Sequence, residues 1–185
     1  KFGKDRRFAP FWSVGIGWNA HNESFLANTG LFDIFRIRGS VGYTGSVNFS
    51  DYQAITTYKY SQDNNYLIGM GALPLAMGND RLKWQTTVKY NLGATVEMFG
   101  GRLSANFDIY KEDTKDLLLS ISTPPSIGVN NVMDNLGETG NWGYEWSVSG
   151  LLVRTNDLYW RLGISGHHTE NKLKKISNSM KRQND

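Results

Sequence analysis

Hydrophobic and polar side chains alternate along the chain between residues 84 and 98. One face of this extended segment carries Trp84, Thr86, Val88, Tyr90, Leu92, Ala94, Val96 and Met98. A period of two predicts a β-strand, because successive side chains of a strand point to opposite faces. After Phe99-Gly100-Gly101-Arg102 the chain returns with a second apolar row, Leu103, Ala105, Phe107 and Ile109. The two rows predict a long amphipathic hairpin.

The length of this hairpin is unusual. Each arm has room for about a dozen paired residues, whereas strands of soluble domains usually have roughly five or six. The apolar rows end at Tyr90 and Ile109, and Lys111, Asp113 and Lys115 follow at the same parity. Eight residue steps of about 3.4 Å, tilted by about 40°, give an apolar band roughly 20 Å tall. Because outer-membrane barrels have a lipid-facing band of about 25 Å, the hairpin predicts a wall between lipid and water.

The glycine pair sets the register of the hairpin. Gly100-Gly101 suits the two central positions of a type I′ turn, where both residues need positive φ. Phe99 then pairs with Arg102, and paired residue numbers sum to 201 along both arms. The same sum places Lys89 opposite Glu112, which predicts a charge pair on the polar face.

A second short turn is predicted near the end of the chain. Residues 155–157 are Thr-Asn-Asp, and an alternating apolar row runs on either side of them. A three-residue turn keeps the apolar faces matched, with Trp160 opposite Leu152 and Glu145 opposite His167.

Three further stretches alternate in the same way, at residues 8–19, 31–44 and 142–164. Residues 20–31 are expected to form a connector with room for one helical turn at residues 23–26. In the second stretch Arg36 and Arg38 lie opposite the apolar row. An arginine facing lipid at mid-depth costs about 2 to 4 kcal/mol, so in a barrel both arginines face the lumen. The solvent face of a soluble sheet has the same alternation.

The connections between these strands differ in length. Two are predicted to be long, residues 45–81 and 120–137, the second containing Pro124-Pro125, and they alternate with the short turns. Such alternation is typical of outer-membrane barrels, which have short periplasmic turns and long external loops. Loops of this length are usually functional or disordered.

The first long connection is rich in aromatic and planar polar residues. Its tyrosines are Tyr52, Tyr58, Tyr60 and Tyr66, and they lie among Asp, Asn and Gln side chains. This combination is suited to binding sugars or peptides, so these four residues are candidate substrate contacts. The alternative is that they pack the loop against its neighbours.

Composition narrows the class of protein. Of 185 residues 39% are hydrophobic, but no segment approaches the roughly 18 apolar residues of a membrane helix, which excludes a helical membrane protein. Twenty Gly, six Trp, nine Tyr and nine Phe against four Pro favour strands, tight turns and interfacial aromatics. The chain has no Cys, which excludes disulfides and thiolate sites.

The net charge is +3 and is spread along the chain except for one basic cluster. The cluster consists of Lys172, Lys174, Lys175, Lys181 and Arg182. Nucleic-acid sites usually need denser basic residues with interleaved aromatics. We interpret the cluster as a solvated loop and expect no nucleic-acid partner.

Residues suited to catalysis are sparse. The histidines are His21, His167 and His168, and the adjacent pair points to opposite faces of a strand, which prevents joint metal binding. The carboxylates that a glycosidase needs could come from Glu97, Asp108, Asp113, Glu138 and Glu145. Their charged neighbours favour ordinary ion pairs, and no phosphate-binding loop or nucleophile motif is present. We therefore expect no enzyme, no metal and no cofactor.

Several segments resemble, in order, the late barrel of SusC/RagA-type TonB-linked outer-membrane proteins. They are Gly42-Tyr43-Thr44-Gly45, the run from Asn79 to Thr87, Gly101-Arg102-Leu103, Asp108-Ile109-Tyr110-Lys111, the run from Thr114 to Leu118, Gly137-Glu138 and the run from Asn141 to Glu145. Gln85 stands where that family commonly has Glu, and Trp142 where it often has Lys. Neither departure changes the strand parity.

The resemblance implies an all-β fold, an antiparallel up-and-down transmembrane β-barrel segment that supplies about six strands of a barrel of about 22. Residues 1–185 would be part of one C-terminal barrel domain, and the plug domain and the other strands would lie outside this chain. The implied protein is an importer of oligosaccharides or peptides in the bacterial outer membrane. Its implied partners are outer-membrane lipid, a SusD-like surface lipoprotein, TonB acting through other parts of the protein, and a glycan or peptide cargo.

In this interpretation six polar residues face the lumen: Arg36, Arg38, Lys89, Glu97, Glu112 and Glu145. Two soluble alternatives remain at this point. One is a β-sandwich carbohydrate-binding module that uses the tyrosine-rich loop, and the other is a jelly-roll glycosidase.

Overall fold

A computed structural model describes residues 9–46, 52–66 and 69–176, and it does not define the side chains of residues 61–66, 70 and 176. Within these residues the chain forms eight strands. They are β1 Trp12–Asn19, β2 Phe32–Ser46, β3 Thr57–Tyr66, β4 Gly69–Ala76, β5 Gln85–Met98, β6 Leu103–Ser122, β7 Asn131–Arg154 and β8 Tyr159–Ile176.

Six of the strands form one antiparallel sheet in the order β1-β2-β5-β6-β7-β8. Each strand pairs with the next of these strands along the chain, which is the predicted up-and-down arrangement. The remaining two, β3 and β4, pair only with each other as a separate hairpin between β2 and β5. The predicted all-β fold and its six sheet strands are therefore confirmed.

The two long connections differ from the prediction in different ways, since the first keeps its length but contains two strands and the second is shorter. Residues 45–81 contain the β3–β4 hairpin, so the prediction of a plain connection there is wrong. Residues 120–137 belong largely to β6 and β7, which leaves only residues 123–130 as the connection. A 3-10 turn at Pro125–Ile127 and Gly128, with φ of 81°, reverse the chain there. Pro124 and Pro125 end the pairing, but the residues on either side of the connection still pair as parts of β6 and β7.

The predicted helical turn in the first connector is confirmed with a shift of one residue. A 3-10 turn at Ala20–Asn22 precedes a short helix, α1, at Ser24–Ala27. His21 Nδ1 lies 3.2 Å from the carbonyl oxygen of Phe35, so this histidine fastens the connector to β2. None of the helices in the described part of the chain is long and apolar enough to cross a membrane.

The six-stranded sheet is a single layer. Among the described residues, the buried hydrophobic side chains are only Ala20, Leu82, Val129 and Leu151. Large apolar side chains are exposed on five of the six strands, for example Ile16 on β1, Leu92 on β5 and Ile164 on β8, and those of β2 are half-buried. Soluble proteins rarely expose contiguous apolar patches larger than a few hundred Å². The described residues therefore form an apolar face that no other described part of the chain covers.

The predicted register of the β5–β6 hairpin is confirmed. Paired residue numbers sum to 201 from Met98 opposite Leu103 to Thr86 opposite Lys115. The pairing of Phe99 with Arg102 is wrong, because Phe99 has a φ of 60° and leaves the extended conformation before the two glycines do. The ladder therefore ends one residue pair earlier than a two-residue turn requires.

The second turn is only partly as predicted. Glu145 lies opposite His167, as expected, but Trp160 pairs with Val153 rather than Leu152. An irregularity between Leu151 and Val153 shifts the register by one residue. The turn then spans four residues and closes with a hydrogen bond of 2.8 Å from Thr155 N to Leu158 O.

Candidate functional site

The register aligns the apolar side chains of all six strands on one face, which we call the apolar face. One row across the sheet consists of Trp18, Ile37, Ala94, Phe107, Trp146 and Gly166. A row nearer the long connections consists of Trp12, Tyr43, Val88, Asp113, Gly140 and Lys172. The second row changes from apolar on β1 to charged on β8. The edge of the apolar band therefore runs diagonally across the rows of paired residues. This is expected if the strands are tilted relative to the axis of a barrel.

The opposite face, which we call the polar face, brings the six predicted polar residues together. Backbone pairing places Arg36, Arg38, Lys89, Glu97, Glu112 and Glu145 on this face. Lys89 Nζ lies 2.8 Å from Glu112 Oε1, so the predicted charge pair is formed. Arg36 Nε donates a hydrogen bond of 2.8 Å to Asn19 Oδ1 on the edge strand β1.

Arg38 makes hydrogen bonds to two neighbouring strands on the polar face. Its Nη2 donates to both carboxylate oxygens of Asp108, at 2.6 and 2.8 Å, although β5 lies between the two strands. Arg38 Nη1 also donates to Thr95 Oγ1 at 3.0 Å. The residue of β5 directly between the two charges is Gly93, and any side chain there would overlap the ion pair. The glycine provides the path over which the arginine reaches its partner.

A second long polar side chain crosses a glycine of the neighbouring strand two strands further on. Tyr110 on β6 lies over Gly143 of β7, and its hydroxyl is 2.7 Å from Thr169 Oγ1 on β8. A Cβ at residue 143 would lie 2.6 Å from the tyrosine hydroxyl oxygen. In both cases a long polar side chain spans a whole strand, and this fixes the polar face without a packed core beneath it.

A hollow of about 350 Å³ on the polar face is lined mainly by polar side chains, together with Trp146 and Gly166. It contains Asn106, Asp108, Glu145, Ser147, Ser165 and His167. Asp108 is neutralised by its arginine, whereas Glu145 lies between Asp108 and His167 in the register. The described residues contain no group of three or more side chains that could hold a metal ion. The hollow offers hydrogen bonds to a polar solute.

The adjacent histidines point to opposite faces, as predicted. His167 lies opposite Glu145 on the polar face. The ring of His168 lies on the apolar face, with its centroid 5.7 Å from that of Trp142 and 5.5 Å from that of Tyr144. Their placement excludes a joint metal site.

The segment that precedes β5 is fastened to the projecting ends of β6 and β7. Asn79 Nδ2 donates to Met133 O at 3.0 Å and to Asp134 Oδ1 at 3.1 Å. The amide of Asn135 accepts from Lys83 N at 2.8 Å and donates to Lys83 O at 3.2 Å. It also donates to Asp116 O at 2.7 Å.

We call this set of hydrogen bonds made by Asn79 and Asn135 the joint. Leu82, which lies between Asn79 and Lys83 in the same segment, is fully buried, at 0% exposure. These contacts therefore tie the segment between the β3–β4 hairpin and β5 to β6 and β7. Sequence reasoning missed the roles of Asn79 and Asn135, because side-chain bonds to backbone groups leave no periodicity in the sequence. Gly93 and Gly143 were also missed, although a glycine inside an alternating strand is a signal of close approach.

The candidate tyrosines lie on or next to the β3–β4 hairpin. Tyr58 and Tyr60 alternate along β3, so both project from one face, and they are 62% and 72% exposed. Tyr52 lies in the preceding turn and is also exposed. The side chain of Tyr66 is outside the described part of the structure. The side chains of Tyr52, Tyr58 and Tyr60 are largely exposed, whereas packing of the loop against its neighbours would bury them.

The prediction that the basic cluster is a solvated loop is wrong, because Lys172, Lys174 and Lys175 lie on β8. The other two members of the cluster, Lys181 and Arg182, lie outside the described residues. Lys174 forms an ion pair with Asp113 of β6, and Lys172 Nζ is 2.8 Å from Glu170 Oε1. Asp113 lies beyond the apolar band. The hydrogen bond from Lys174, with the attraction of that lysine and of the nearby lysines 111 and 115, lowers the pKa of Asp113.

Comparison with known proteins assigns the family. Residues 1–179 match the family model described as "TonB dependent receptor-like, beta-barrel". The chain therefore belongs to the β-barrel family of TonB-dependent receptors. Because its relatives are receptors and importers, the two soluble alternatives, a carbohydrate-binding module and a glycosidase, are not supported.

Individual relatives have the same character. The chain is 31% identical over 177 residues to the TonB-dependent receptor P3 of Formosa agariphila, which covers 95% of this chain and 18% of that protein. It is 29% identical over 187 residues to the TonB-dependent receptor SusC of Bacteroides thetaiotaomicron, covering 96% of this chain and 18% of that receptor. The chain spans about a fifth of the length of these curated relatives.

Solved structures give the same assignment. The structure of the RagAB peptide transporter matches with a TM-score of 0.85 and 25% identity, over 96% of this chain and 20% of that one. The RagAB peptide importer in its "closed-closed" state matches with a TM-score of 0.86 and 26% identity, over 95% of this chain and 19% of that one. The six-stranded sheet is thus a segment of a larger barrel of the SusC/RagA type.

Proposed function

We propose that this chain forms wall and external loops of a TonB-dependent importer in the bacterial outer membrane. The observation that carries the proposal is the single-layer sheet, whose apolar face continues across six strands and is not covered by the other described residues. A lipid bilayer supplies that cover, and the polar face then lines the lumen. In this arrangement residues 1–185 are part of one C-terminal barrel domain.

The polar residues of the sheet then shape a water-filled passage. Arg36, Arg38, Lys89, Glu97, Glu112 and Glu145 are the lumen-facing residues of this proposal. Most of these charges are paired or hydrogen-bonded within the face, so they keep the wall hydrated without holding a solute tightly. Their role is to line the passage rather than to carry out a reaction.

The cargo in this proposal is an oligosaccharide or a peptide. SusC is a TonB-dependent receptor and RagAB is a peptide transporter, and both resemble this chain. A SusD-like surface lipoprotein is the proposed partner at the external mouth, and TonB acts through parts of the receptor outside this chain. The exposed Tyr52, Tyr58 and Tyr60 offer ring faces to sugars or peptide side chains at that mouth, and we include Tyr66 with them.

Uptake in cells tests this proposal. A strain that lacks the receptor gene is complemented with the whole receptor, and accumulation of fluorescent oligosaccharides and peptides is measured with and without a protonophore. We expect uptake of one of these cargo classes, and we expect the protonophore to abolish it. Replacing both Tyr58 and Tyr60 with Ala should lower uptake about ten-fold, which corresponds to about 1.4 kcal/mol of lost contact.

The matched control is Tyr159→Ala. Tyr159 is 60% exposed, but it lies at the opposite end of the sheet from the β3–β4 hairpin. Equal losses in the control and in the hairpin variant would remove the tyrosines from the cargo site. Failure of the whole receptor to take up either cargo class would contradict the proposed function.

A further inference from the structure

A groove of about 670 Å³ lies on the apolar face at the height where the apolar rows end. On the side nearer the short turns its lining is Leu92 and Ile109, which are paired across β5 and β6. The next row toward the long connections contributes Tyr90 and Trp142. Along the strands the groove therefore passes from aliphatic to aromatic side chains.

The charged part of the groove wall is mainly cationic. Lys111, Lys172 and Lys174 line it, with Asp113 as the only acidic side chain among the described residues of its lining. Lys174 contacts Asp113, and Lys111 Nζ lies 3.8 Å from the same carboxylate. Glu170, just outside the lining, binds Lys172. Even with both carboxylates included, positive charge exceeds negative charge at this end.

Trp142 marks the boundary between the two halves of the groove. Its indole Nε1 donates to Glu170 Oε2 at 2.7 Å, while its ring lies against His168. Tryptophan and tyrosine rings settle at headgroup depth in membranes, because one end of the ring is polar and the rest is apolar. The lysines then lie at the level of the headgroups, and Leu92 and Ile109 lie at the level of the acyl chains.

We propose that this groove binds a phosphate-bearing lipid of the outer leaflet, with its phosphate at Lys111, Lys172 and Lys174 and its acyl chains along Leu92 and Ile109. The proposal rests on the proposed membrane position of the sheet. Lysine ammonium groups are point-charge donors for phosphate, and each one near a membrane surface strengthens the binding of anionic lipid. The aliphatic end of the groove is continuous with the rest of the apolar face, so the occupant needs acyl chains as well as negative charge.

Native mass spectrometry of the whole receptor in a neutral detergent tests the site. The receptor is titrated with phosphorylated lipid A and with the same lipid after dephosphorylation, which differ only in the phosphate. We expect the phosphorylated form to bind at least about ten-fold more tightly. The double variant Lys172→Gln/Lys174→Gln should lose most of this preference, and Lys172→Gln alone should lose part of it.

The control carries the same charge change elsewhere. Lys89 lies on the polar face and Lys83 in the segment before β5, so Lys83→Gln/Lys89→Gln should keep the preference. Equal affinity for the two lipid forms, an equal loss in the control, or displacement of the lipid by millimolar inorganic phosphate would each overturn the lipid site.

Flotation of the same receptor with liposomes separates the two proposals. Failure to insert contradicts the membrane function, whereas insertion without phosphate preference contradicts only the lipid site.

Discussion

Arg38 on β2 and Asp108 on β6 form a two-bond ion pair across a whole intervening strand. Gly93 of β5 makes the contact possible, since a Cβ there would lie 2.7 Å from Arg38 Nε and would also overlap the carboxylate. Both charged side chains remain partly exposed, at 47% and 38%, so the pair alone contributes only modestly to stability. Its main effect is to fix three strands to one another on the polar face.

The first prediction concerns this glycine. Gly93→Ala should displace the ion pair and lower the free energy of unfolding of the whole barrel by about 0.5 to 1 kcal/mol, because water screens exposed charges. Urea unfolding in detergent measures the change. Gly150→Ala is the control, since a Cβ at residue 150 meets no atom within 4 Å. In an Arg38→Ala background the Gly93→Ala effect should shrink, and an undiminished effect there would show that the ion pair is not its cause.

The second prediction concerns the joint below the β3–β4 hairpin. Asn135→Ala removes the hydrogen bonds to Lys83 and Asp116, each worth about 1 kcal/mol. Amide exchange at residues 80–84 should therefore become at least about ten-fold faster, which hydrogen–deuterium exchange of the whole receptor measures. Asn156→Ala in the short turn should leave this exchange unchanged. Unchanged protection in Asn135→Ala would mean that another contact holds the segment.

The third prediction concerns the charge pair that the hairpin register requires. A double-mutant cycle of Lys89→Gln and Glu112→Gln should give a coupling of about 0.2 to 1 kcal/mol in favour of the native pair. Because both side chains are partly exposed, the coupling should fall as salt is raised. Zero coupling at low salt would contradict the side-chain contact, although the backbone register would still stand.

The sequence predicts the β5–β6 register well because two independent signals agree there. The alternation fixes which residues share a face, and Gly100-Gly101 fixes where the chain turns. Near the second turn the alternation fails, since Leu151, Leu152 and Val153 are all apolar. Three apolar residues in a row do not indicate which side chain lies on which face. A one-residue shift in the register was therefore invisible in the sequence.

The hairpin in the first long connection was also not predictable from periodicity. The described side chains of β3 and β4 are largely solvent-exposed on both faces, so among them no buried side imposes a period of two. Pro74 lies within β4, and prolines are tolerated on edge strands such as this one, although a proline in a sequence does not favour a strand. The joint made by Asn79 and Asn135 depends on residues about 55 positions apart, and only the fold brings them together.

The central claim is that one face of the sheet contacts lipid and the other lines a lumen. Ser147 and Val148 are neighbours near the middle of the apolar band on β7, on opposite faces. The described chain contributes no native thiol, so Ser147→Cys and Val148→Cys can each carry a bimane label in the whole receptor once any cysteines elsewhere are replaced.

The deciding measurement is quenching of this bimane by brominated lipid in reconstituted liposomes. We predict strong quenching at residue 148 and little at residue 147, because only Val148 would touch acyl chains. Occlusion of the lumen by other parts of the receptor does not affect this comparison. Equal quenching at the two positions, or stronger quenching at residue 147, would contradict the assignment of wall and lumen.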